Sequence, residues 1–304
     1  MVLCPGQGAQ RVGMGKDLAQ RFPAARDTFT AIDEALGVAL SRIMWDGPES
    51  ELTLTHNAQP AILAHTAAVY SVMVDRLGDL KAAAGHSLGE YSAYVVAGAL
   101  TPADAARLVR RRGELMYEAG LERPGAMAAV MGLESGDVER ACGQASNGGV
   151  AVAANLNAPD QVVISGDPPA VLRAGEHCRT AGAKRVIPLK VSGAFHSPLM
   201  RPAVPGLELA LAAVSFDDPG VPVVANATAD VIGTAEQARQ QLAAQLTAPV
   251  RWVESMCRAR ELAGGGSFLE LGPGRVLSGL LKRSVPGAEV RALGTAQEIE
   301  EFLA

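Results

Sequence analysis

The stretch Lys81-Ala82-Ala83-Ala84-Gly85-His86-Ser87-Leu88-Gly89-Glu90-Tyr91 decides the fold of this chain. Its first four residues predict a short buried strand, and the residues from Leu88 to about Val96 predict a helix. Between them, Gly85–Gly89 matches the pattern Gly-x-Ser-x-Gly, in which a serine occupies a sharp strand-to-helix turn. Side chains at the two flanking positions would clash in so tight a turn, which explains both glycines. The stretch therefore predicts an α/β fold with Ser87 exposed above the end of a sheet.

A serine in such a turn has the surroundings of a nucleophile. The helix that follows presents free N–H groups and a dipole that favours negative charge. The N–H of Leu88 can therefore stabilise the oxyanion of a tetrahedral intermediate. The alternative is a chance match in a sequence with 33 glycines. The strand predicted before the turn and the helix predicted after it favour catalysis by Ser87.

Strands and helices alternate along much of the remaining chain, and this order favours a parallel sheet. The other strands of that sheet are predicted at Met1–Leu3, Val221–Asn226 and Phe268–Leu271. The main helices are predicted at Gly15–Leu36, Ala58–Leu77 (with Pro60 in its first turn), Pro102–Glu118 and Ala235–Gln245.

The middle of the chain has a different predicted order, β-α-β-β-α-β, which is typical of a ferredoxin-like unit. We expect residues 124–191 to form this small subdomain, inserted into a large domain made of residues 1–123 and 192–304. Its strands are predicted at Ala126–Gly132, Val150–Ala154, Gln161–Ser165 and Arg185–Val191, and its helices at Ser135–Gln144 and Pro169–Ala181.

Composition excludes several classes of function. Hydrophobic residues make up 48% of the 304 residues and charged residues 19%, so the chain can bury a sizeable core. Aromatic residues are only 4% and the net charge is −5, which argues against nucleic-acid and membrane-surface binding. The densest basic cluster, Arg110–Arg112, is too short for a phosphate-binding surface.

The cysteines and the N-terminus indicate a cytoplasmic protein. The four cysteines are scattered and form no C-x-x-C pair, so we expect reduced thiols and no zinc site or other metal site. The first residues lack the charged and apolar regions of a signal peptide. No stretch approaches the ~20 apolar residues that span a bilayer. The four cysteines are Cys4, Cys142, Cys178 and Cys257.

A nucleophilic serine needs a general base, and His196 is the leading candidate among five histidines. It lies in the irregular loop Ser192–Pro198 after a predicted strand, where α/β enzymes place catalytic groups. No aspartate stands out as a third member. The other histidines lie beside the nucleophile or in and next to predicted helices, where structural or solvated roles are expected: His56, His65, His86 and His177.

Arg112 lies on the apolar face of its predicted helix. It shares that face with Ala105, Val109 and Met116, whereas Arg111 lies on the polar face. A buried guanidinium is costly unless it is paired, and its planar fork suits a carboxylate. From these residues alone, two alternatives stay open. Arg112 binds a substrate carboxylate, or it makes an internal salt bridge or reaches solvent with its long side chain.

Seven short motifs follow one another along the chain: Pro5–Gln10, Gln59–Ala61, Gly85–Tyr91, Arg112–Gly113, Asn155–Pro159, Gly193–Ser197 and Glu270–Gly274. In this order they resemble the malonyl-CoA:acyl carrier protein transacylase family, which includes free-standing enzymes of fatty acid synthesis and acyltransferases of polyketide synthases. The resemblance covers nearly the whole chain. It implies an α/β-hydrolase-like large domain with a ferredoxin-like small one.

The resemblance implies a role for each matching residue. Ser87 is the acylated nucleophile and His196 its base, and Arg112 pairs with the free carboxylate of the malonyl group. The backbone N–H groups of Gln7 and Leu88 form the oxyanion hole, and Gln59 and Asn157 line the substrate site. The main-chain carbonyl of Gln245 orients the histidine.

The implied reaction has two covalent steps and no bound cofactor. Ser87 takes malonyl from the thioester of malonyl-CoA, and the phosphopantetheine thiol of an acyl carrier protein then removes it. In polyketide relatives, phenylalanine at the position of Phe195 accompanies malonyl, because the ring crowds an α-methyl group. The resemblance thus implies malonyl-CoA as substrate and an acyl carrier protein as partner.

Three other functions remain as alternatives. The same serine and histidine can pass the acyl group to water, as an acyl hydrolase editing carrier proteins does, although Arg112 argues for transfer. A non-catalytic docking subunit is disfavoured because Ser87, His196 and Arg112 are all present. The malonyl transferase component of a malonate decarboxylase keeps the same chemistry. The sequence does not choose between fatty acid and polyketide synthesis.

Overall fold

The computed structural model describes residues 1–304 and contains ten strands in two sheets. One sheet has six strands and the other has four. The strands are β1 (Val2–Cys4), β2 (Ala83–Gly85), β3 (Ala126–Met131), β4 (Ala151–Ala158), β5 (Gln161–Gly166), β6 (Arg185–Pro188), β7 (Val223–Val224), β8 (Val231–Ile232), β9 (Phe268–Leu271) and β10 (Val290–Leu293).

Fourteen α-helices surround the two sheets, and none of them is long and apolar enough to cross a membrane. The helices are α1 (Lys16–Arg21), α2 (Pro23–Leu36), α3 (Leu40–Asp46), α4 (Glu49–Leu52), α5 (Thr55–Met73), α6 (Gly89–Val96), α7 (Pro102–Glu122), α8 (Ser135–Ala145), α9 (Pro168–Thr180), α10 (Val204–Ala212), α11 (Ala235–Gln245), α12 (Trp252–Ala263), α13 (Val276–Ser284) and α14 (Ala296–Leu303).

The six-stranded sheet has the order β10-β9-β1-β2-β7-β8 and is parallel except for the β7–β8 pair. Both faces of the sheet are buried, and successive side chains of a strand point to opposite faces. Val2 and Cys4 belong to the larger apolar core, whereas Leu3 packs into a second core with Trp252 and Phe268. The predicted α/β fold with a parallel sheet is confirmed.

The four-stranded sheet has the order β4-β5-β3-β6 and is antiparallel throughout. Helices α8 and α9 pack against it and share a separate apolar core that includes Val130, Val138, Ile164 and Val171. This strand order, with its two helices, confirms the ferredoxin-like unit. Its predicted limits at residues 124 and 191 stay a prediction.

The small sheet is tied to the segment between α11 and α12, which follows the predicted site residue Gln245. Strand β4 bulges between Ala153 and Asn155, and the Leu156 N–H donates to the Val250 carbonyl at 2.9 Å. The end of α7 also touches the returning chain, since a Cβ on Gly120 would lie 2.2 Å from the Ser192 carbonyl oxygen. The loop that carries His196 therefore begins in close contact with the end of α7.

Two predicted helices were wrong in their limits. The helix predicted at Gly15–Leu36 is interrupted at Phe22, whose backbone is extended because Pro23 follows it. The helix predicted to begin at Ala58 begins at Thr55, so Pro60 lies inside it rather than in its first turn. The burial of that helix on nearly all sides overrides the local effect of proline. Strands β8 and β10 and helices α3, α4, α10, α12 and α14 were not predicted.

The turn between β2 and α6 has the predicted strain. Ser87 has a φ of 52°, a left-handed conformation that is uncommon outside glycine. A Cβ on Gly85 would lie 1.9 Å from the Gly89 carbonyl oxygen, and a Cβ on Gly89 would lie 2.1 Å from the Cys4 carbonyl oxygen. The loop after β1 is thus packed directly against the serine turn.

We expect Gly89→Ala to destabilise the protein by about 3 kcal/mol or more, because the new methyl group overlaps backbone that has no room to move. Gly279→Ala in α13 is the matched control, since its Cβ would meet no atom within 4 Å. We expect that control to change stability by less than about 1 kcal/mol, in the stabilising direction. Urea unfolding measures both, and equal stabilities would contradict the packing described for the turn.

Candidate active site

Ser87 and His196 lie in direct contact, although 109 residues separate them in the sequence. Ser87 Oγ is 2.7 Å from His196 Nε2, a hydrogen-bond distance. His196 also has a positive φ, 55°, and is only 4% exposed. The structure thus brings together two strained residues from different loops, the predicted nucleophile and its predicted base.

The ring of His196 is oriented by main-chain carbonyls. Its Nδ1 lies 3.0 Å from the Gln245 carbonyl oxygen and 3.3 Å from that of Ala248. Carbonyls only accept, so Nδ1 carries the proton and Nε2 is left to accept from the Ser87 hydroxyl. The arrangement supplies the orientation that a third, acidic side chain gives in other serine enzymes.

His196 is held in its neutral form. Burial lowers its pKa to about 3, and the positive charge of Arg112 acts in the same direction. The hydrogen bonds to the carbonyls of Gln245 and Ala248 oppose this shift. At neutral pH the imidazole is therefore free to take a proton from Ser87.

Two backbone N–H groups, one in the serine turn and one in the loop packed against it, have no acceptor within the chain. Neither the Gln7 N–H nor the Leu88 N–H donates to an acceptor within the chain. The Gln7 loop is held on the serine turn, since a Cβ on Gly6 would lie 2.4 Å from the His86 carbonyl oxygen. The two donors predicted for the oxyanion hole therefore come from adjacent loops.

Arg112 is buried beside the nucleophile without an acidic partner. It is 1% exposed and makes no ion pair with any carboxylate of the chain. Its Nη1 donates to Gln59 Oε1 at 2.7 Å, and its Nη2 donates to Gln245 Oε1 at 2.9 Å and Ser87 Oγ at 3.1 Å. Because Arg112 is buried and makes no ion pair, the alternatives of an internal salt bridge and of a head group that reaches solvent are both wrong.

Arg111 shows the contrast on the same helix. Its side chain is 43% exposed and pairs with Glu114 and Glu118 on the polar face of α7. Arg112 instead lies with its guanidinium carbon 5.6 Å from the centre of the Tyr91 ring. The helical spacing correctly separated the exposed arginine from the buried one.

Three residues were predicted to line the substrate site: Gln59, Asn157 and Phe195. Gln59 lies in α5 beside Arg112, and Phe195 is 6% exposed and directly precedes His196. The side chain of Asn157 contacts His86, since its oxygen accepts from His86 Nε2 at 2.7 Å. That contact gives His86 the structural role expected for it, and the lining role of Asn157 stays a prediction.

Sequence reasoning missed two buried polar residues of the site. Asn226 accepts the Ser87 N–H on its Oδ1 at 2.6 Å and donates from Nδ2 to the Gly85 carbonyl at 2.7 Å. Glu90 is fully buried and accepts from Gln245 Nε2 at 2.7 Å. The sequence did hold a signal for each residue. Asn226 is a polar residue at the carboxyl end of a predicted strand, and Glu90 is the one acid in an otherwise uncharged helix.

The chain brings no group of three or more His, Cys, Asp or Glu side chains together as metal ligands. The site contains a serine in contact with a neutral histidine, two backbone N–H groups without an acceptor and a buried guanidinium. These are the parts required for acyl transfer through a serine ester, with a place for a negatively charged acyl group. Fold and site together define an acyltransferase of the α/β class.

The chain belongs to the family described as acyl transferase domain, whose model matches residues 1–298. It is 44% identical to the malonyl CoA-acyl carrier protein transacylase of Bacillus subtilis over 299 residues, covering 98% of this chain and 94% of the relative. The Escherichia coli K12 protein of the same name is 44% identical over 290 residues, covering 95% and 94%.

Solved structures give the same result. A malonyl-transacylase in complex with a type II PKS acyl-carrier protein has a TM-score of 0.95 at 42% identity, covering 99% of this chain and 98% of that one. An acyl carrier protein S-malonyltransferase from Vibrio cholerae O1 biovar eltor has a TM-score of 0.93 at 40% identity, with the same coverage. The predicted family is confirmed.

The low pKa of His196 predicts how the reactivity of Ser87 depends on pH. We expect the rate of Ser87 phosphonylation by an uncharged fluorophosphonate, followed by mass spectrometry, to vary less than about twofold between pH 5 and 8. A histidine with an ordinary pKa would lower that rate about 30-fold at pH 5. Glu90→Gln removes the other buried group that titrates near neutral pH, and its profile should also be flat. A midpoint near 6.5 in both proteins would contradict the neutral, desolvated base.

Proposed function

We propose that this protein transfers a malonyl group from malonyl-CoA to the phosphopantetheine thiol of an acyl carrier protein. The observation that carries the proposal is Arg112, a buried guanidinium with no acidic partner, 3.1 Å from Ser87 Oγ. A free carboxylate on the acyl group completes the ion pair that the protein itself leaves open. The names of the similar proteins from Bacillus subtilis and Escherichia coli support the same activity.

In the first step, Ser87 Oγ attacks the thioester carbonyl of malonyl-CoA while His196 Nε2 takes the hydroxyl proton. The negative charge that develops on the carbonyl oxygen is stabilised by the N–H groups of Gln7 and Leu88. The carbon–sulfur bond then breaks, and His196 returns its proton to the sulfur of CoA. The products are free CoA and malonyl-Ser87.

In the intermediate, Arg112 holds the far carboxylate of the malonyl group. Gln59 and Gln245 keep the guanidinium in place through their side-chain oxygens. An uncharged acyl group would leave Arg112 buried beside neutral partners only, so the site discriminates through the charge of its substrate. The ring of Phe195 supports malonyl over α-methylated analogues, because it crowds the space of an added methyl group.

In the second step, the carrier thiol gives its proton to His196 and attacks the ester carbonyl of malonyl-Ser87. The same two N–H groups stabilise the second oxyanion, and the proton on His196 passes to Ser87 Oγ as the ester bond breaks. An acyl carrier protein as acceptor is supported by the solved relative that is in complex with one. Fatty acid and polyketide synthesis both supply such carriers.

The location and the cofactor prediction belong to the same proposal. Four free cysteines, three of them buried, are typical of a protein in a reducing compartment and support the cytoplasm. The chemistry needs only the side chains and backbone groups named above. That the enzyme works without a bound cofactor stays a prediction.

Incubation with malonyl-CoA should place one malonyl group on Ser87, which intact-protein and peptide mass spectrometry detect. Adding a phosphopantetheine-bearing carrier protein should then move the group to the carrier thiol. Ser87→Ala is expected to carry no adduct. Release of free malonate faster than malonyl-carrier forms would identify a hydrolase instead, and the absence of any adduct would overturn the enzymatic function.

Replacing Arg112 with alanine tests the carboxylate-binding role. We expect Arg112→Ala to lower kcat/KM for malonyl-CoA about 100- to 1000-fold, because a buried charge-assisted pair is lost. Transfer of an acetyl group should change little or increase. Arg111→Ala on the exposed face is the matched control and should leave both rates within about twofold. An equal loss for malonyl and acetyl would show that Arg112 has only a structural role.

A further inference from the structure

Glu90 is a fully buried carboxyl group that the proposed reaction does not use. It lies in the first turn of α6, three residues after Ser87. Its Oε2 accepts from Gln245 Nε2 at 2.7 Å and from the Asn226 N–H at 3.0 Å, and it makes no ion pair. Burial raises its pKa to about 7, against the opposing effects of those two hydrogen bonds and of Arg112. A buried acid with two amide donors and no ion pair needs a functional explanation.

The partners of Glu90 lead directly to Arg112. The side chain of Gln245 lies between the two charged residues, with Nε2 toward Glu90 and Oε1 toward the guanidinium. Arginine only donates, and Glu90 Oε2 accepts from two N–H donors. The amide of Gln245 is therefore fixed from both ends. Turned by half a rotation, it would place NH2 against the guanidinium and oxygen against the carboxylate.

The same amide also touches the serine turn. Gln245 Nε2 donates to the Ser87 carbonyl at 3.0 Å, so a rotated amide would face a second acceptor with an acceptor. The main-chain oxygen of Gln245, which orients His196, is not affected by rotation of the side chain. Glu90 can thus control the surroundings of Arg112 without moving the catalytic base.

We propose that Glu90 is a positioning residue that fixes the Gln245 side-chain amide with its oxygen toward Arg112, and so sets the preference of the site for a carboxylated acyl group. The inference rests on the proposed function. It follows from the order of donors and acceptors in the chain of contacts Glu90–Gln245–Arg112. Without the acceptor at Glu90, only the Ser87 carbonyl and Arg112 hold the amide, so its oxygen is less firmly fixed toward the guanidinium that meets the substrate carboxylate.

A second route from Glu90 runs through Asn226 to the serine turn, and it predicts a different result. Asn226 holds the Ser87 N–H, so damage along this route lowers the reactivity of Ser87 toward every reagent. The route through Gln245 lowers only the reactions in which Arg112 takes part. An uncharged fluorophosphonate and acetyl-CoA report on the first route, and malonyl-CoA reports on both.

The test compares Glu90→Leu, Glu90→Gln and Gln245→Leu with the wild-type protein. We expect Glu90→Leu to lower kcat/KM for malonyl-CoA about 10- to 100-fold and to change acetyl transfer and Ser87 phosphonylation less than about threefold. Glu90→Gln keeps an acceptor oxygen and should stay within about threefold of wild type for all three reactions. Ser92→Ala, another buried polar side chain of α6, is the matched control and should change none of them.

The double variant Glu90→Leu/Gln245→Leu decides whether Glu90 acts through Gln245. We expect it to be no slower with malonyl-CoA than Gln245→Leu alone, because neighbours in one network are not additive. Losses that multiply would overturn the proposal, and so would an equal loss of malonyl and acetyl transfer in Glu90→Leu. If Glu90→Leu does not fold, Glu90→Asp decides, since its carboxylate is too short to reach Gln245 and the malonyl-to-acetyl ratio should still fall. An unchanged ratio in Glu90→Asp would overturn the proposal.

Experiments on the wild-type protein and on the variants distinguish a failure of the proposed malonyl transfer from a failure of the role of Glu90 alone. A wild-type protein that forms no malonyl-Ser87 would overturn the proposed function and the role of Glu90 with it. A wild-type protein that transfers malonyl, with unchanged selectivity in the Glu90 and Gln245 variants, would overturn only the role of Glu90.

Discussion

The buried positive charge of Arg112 is the constraint around which the site is built. Removing a guanidinium from water is costly, and the hydrogen bonds that offset this cost come from neutral oxygens of Gln59, Gln245 and Ser87. In the proposed function, the acyl group that best completes the pairing of Arg112 is the one that binds. The substrate then supplies the missing negative charge, so binding and selectivity come from one interaction. The charge of Arg112 also adds to the effect of burial in keeping the neighbouring His196 unprotonated.

The sheet explains how distant residues meet at this charge. Strands β1, β2 and β7 are parallel neighbours, so the loops at their carboxyl ends lie side by side. These loops carry Gln7, Ser87 and Asn226. The absence of side chains at Gly6 and Gly89 lets the end of β1 and the loop that follows it pack closely against the serine turn. The strain at Ser87 is thus balanced by packing on both sides of the turn.

Local patterns in the sequence predicted the parts of the site that depend on local structure. The serine turn follows from glycine spacing, and the burial of Arg112 follows from helical periodicity, as its contrast with Arg111 shows. Glu90 and Asn226 were missed because their contacts join residues 136 positions apart. A polar side chain that is buried by a distant partner has no local signature. The early start of α5 at Thr55 was missed for a related reason, since the packing of the whole domain overrides the local effect of Pro60. The break at Phe22 did have a local signal, because Pro23 follows it.

Burial is the main cause of both unusual pKa values in the site, because it lowers the pKa of His196 and raises that of Glu90. The charge of Arg112 lowers both pKa values, so it adds to the shift at His196 and opposes the shift at Glu90. In the proposed reaction, the malonyl carboxylate offsets that charge once the acyl-enzyme has formed. The pKa of His196 then rises, and the imidazole becomes a stronger base for the carrier thiol than it is in the empty site. The substrate that Arg112 selects therefore also prepares the base for the second half of the reaction.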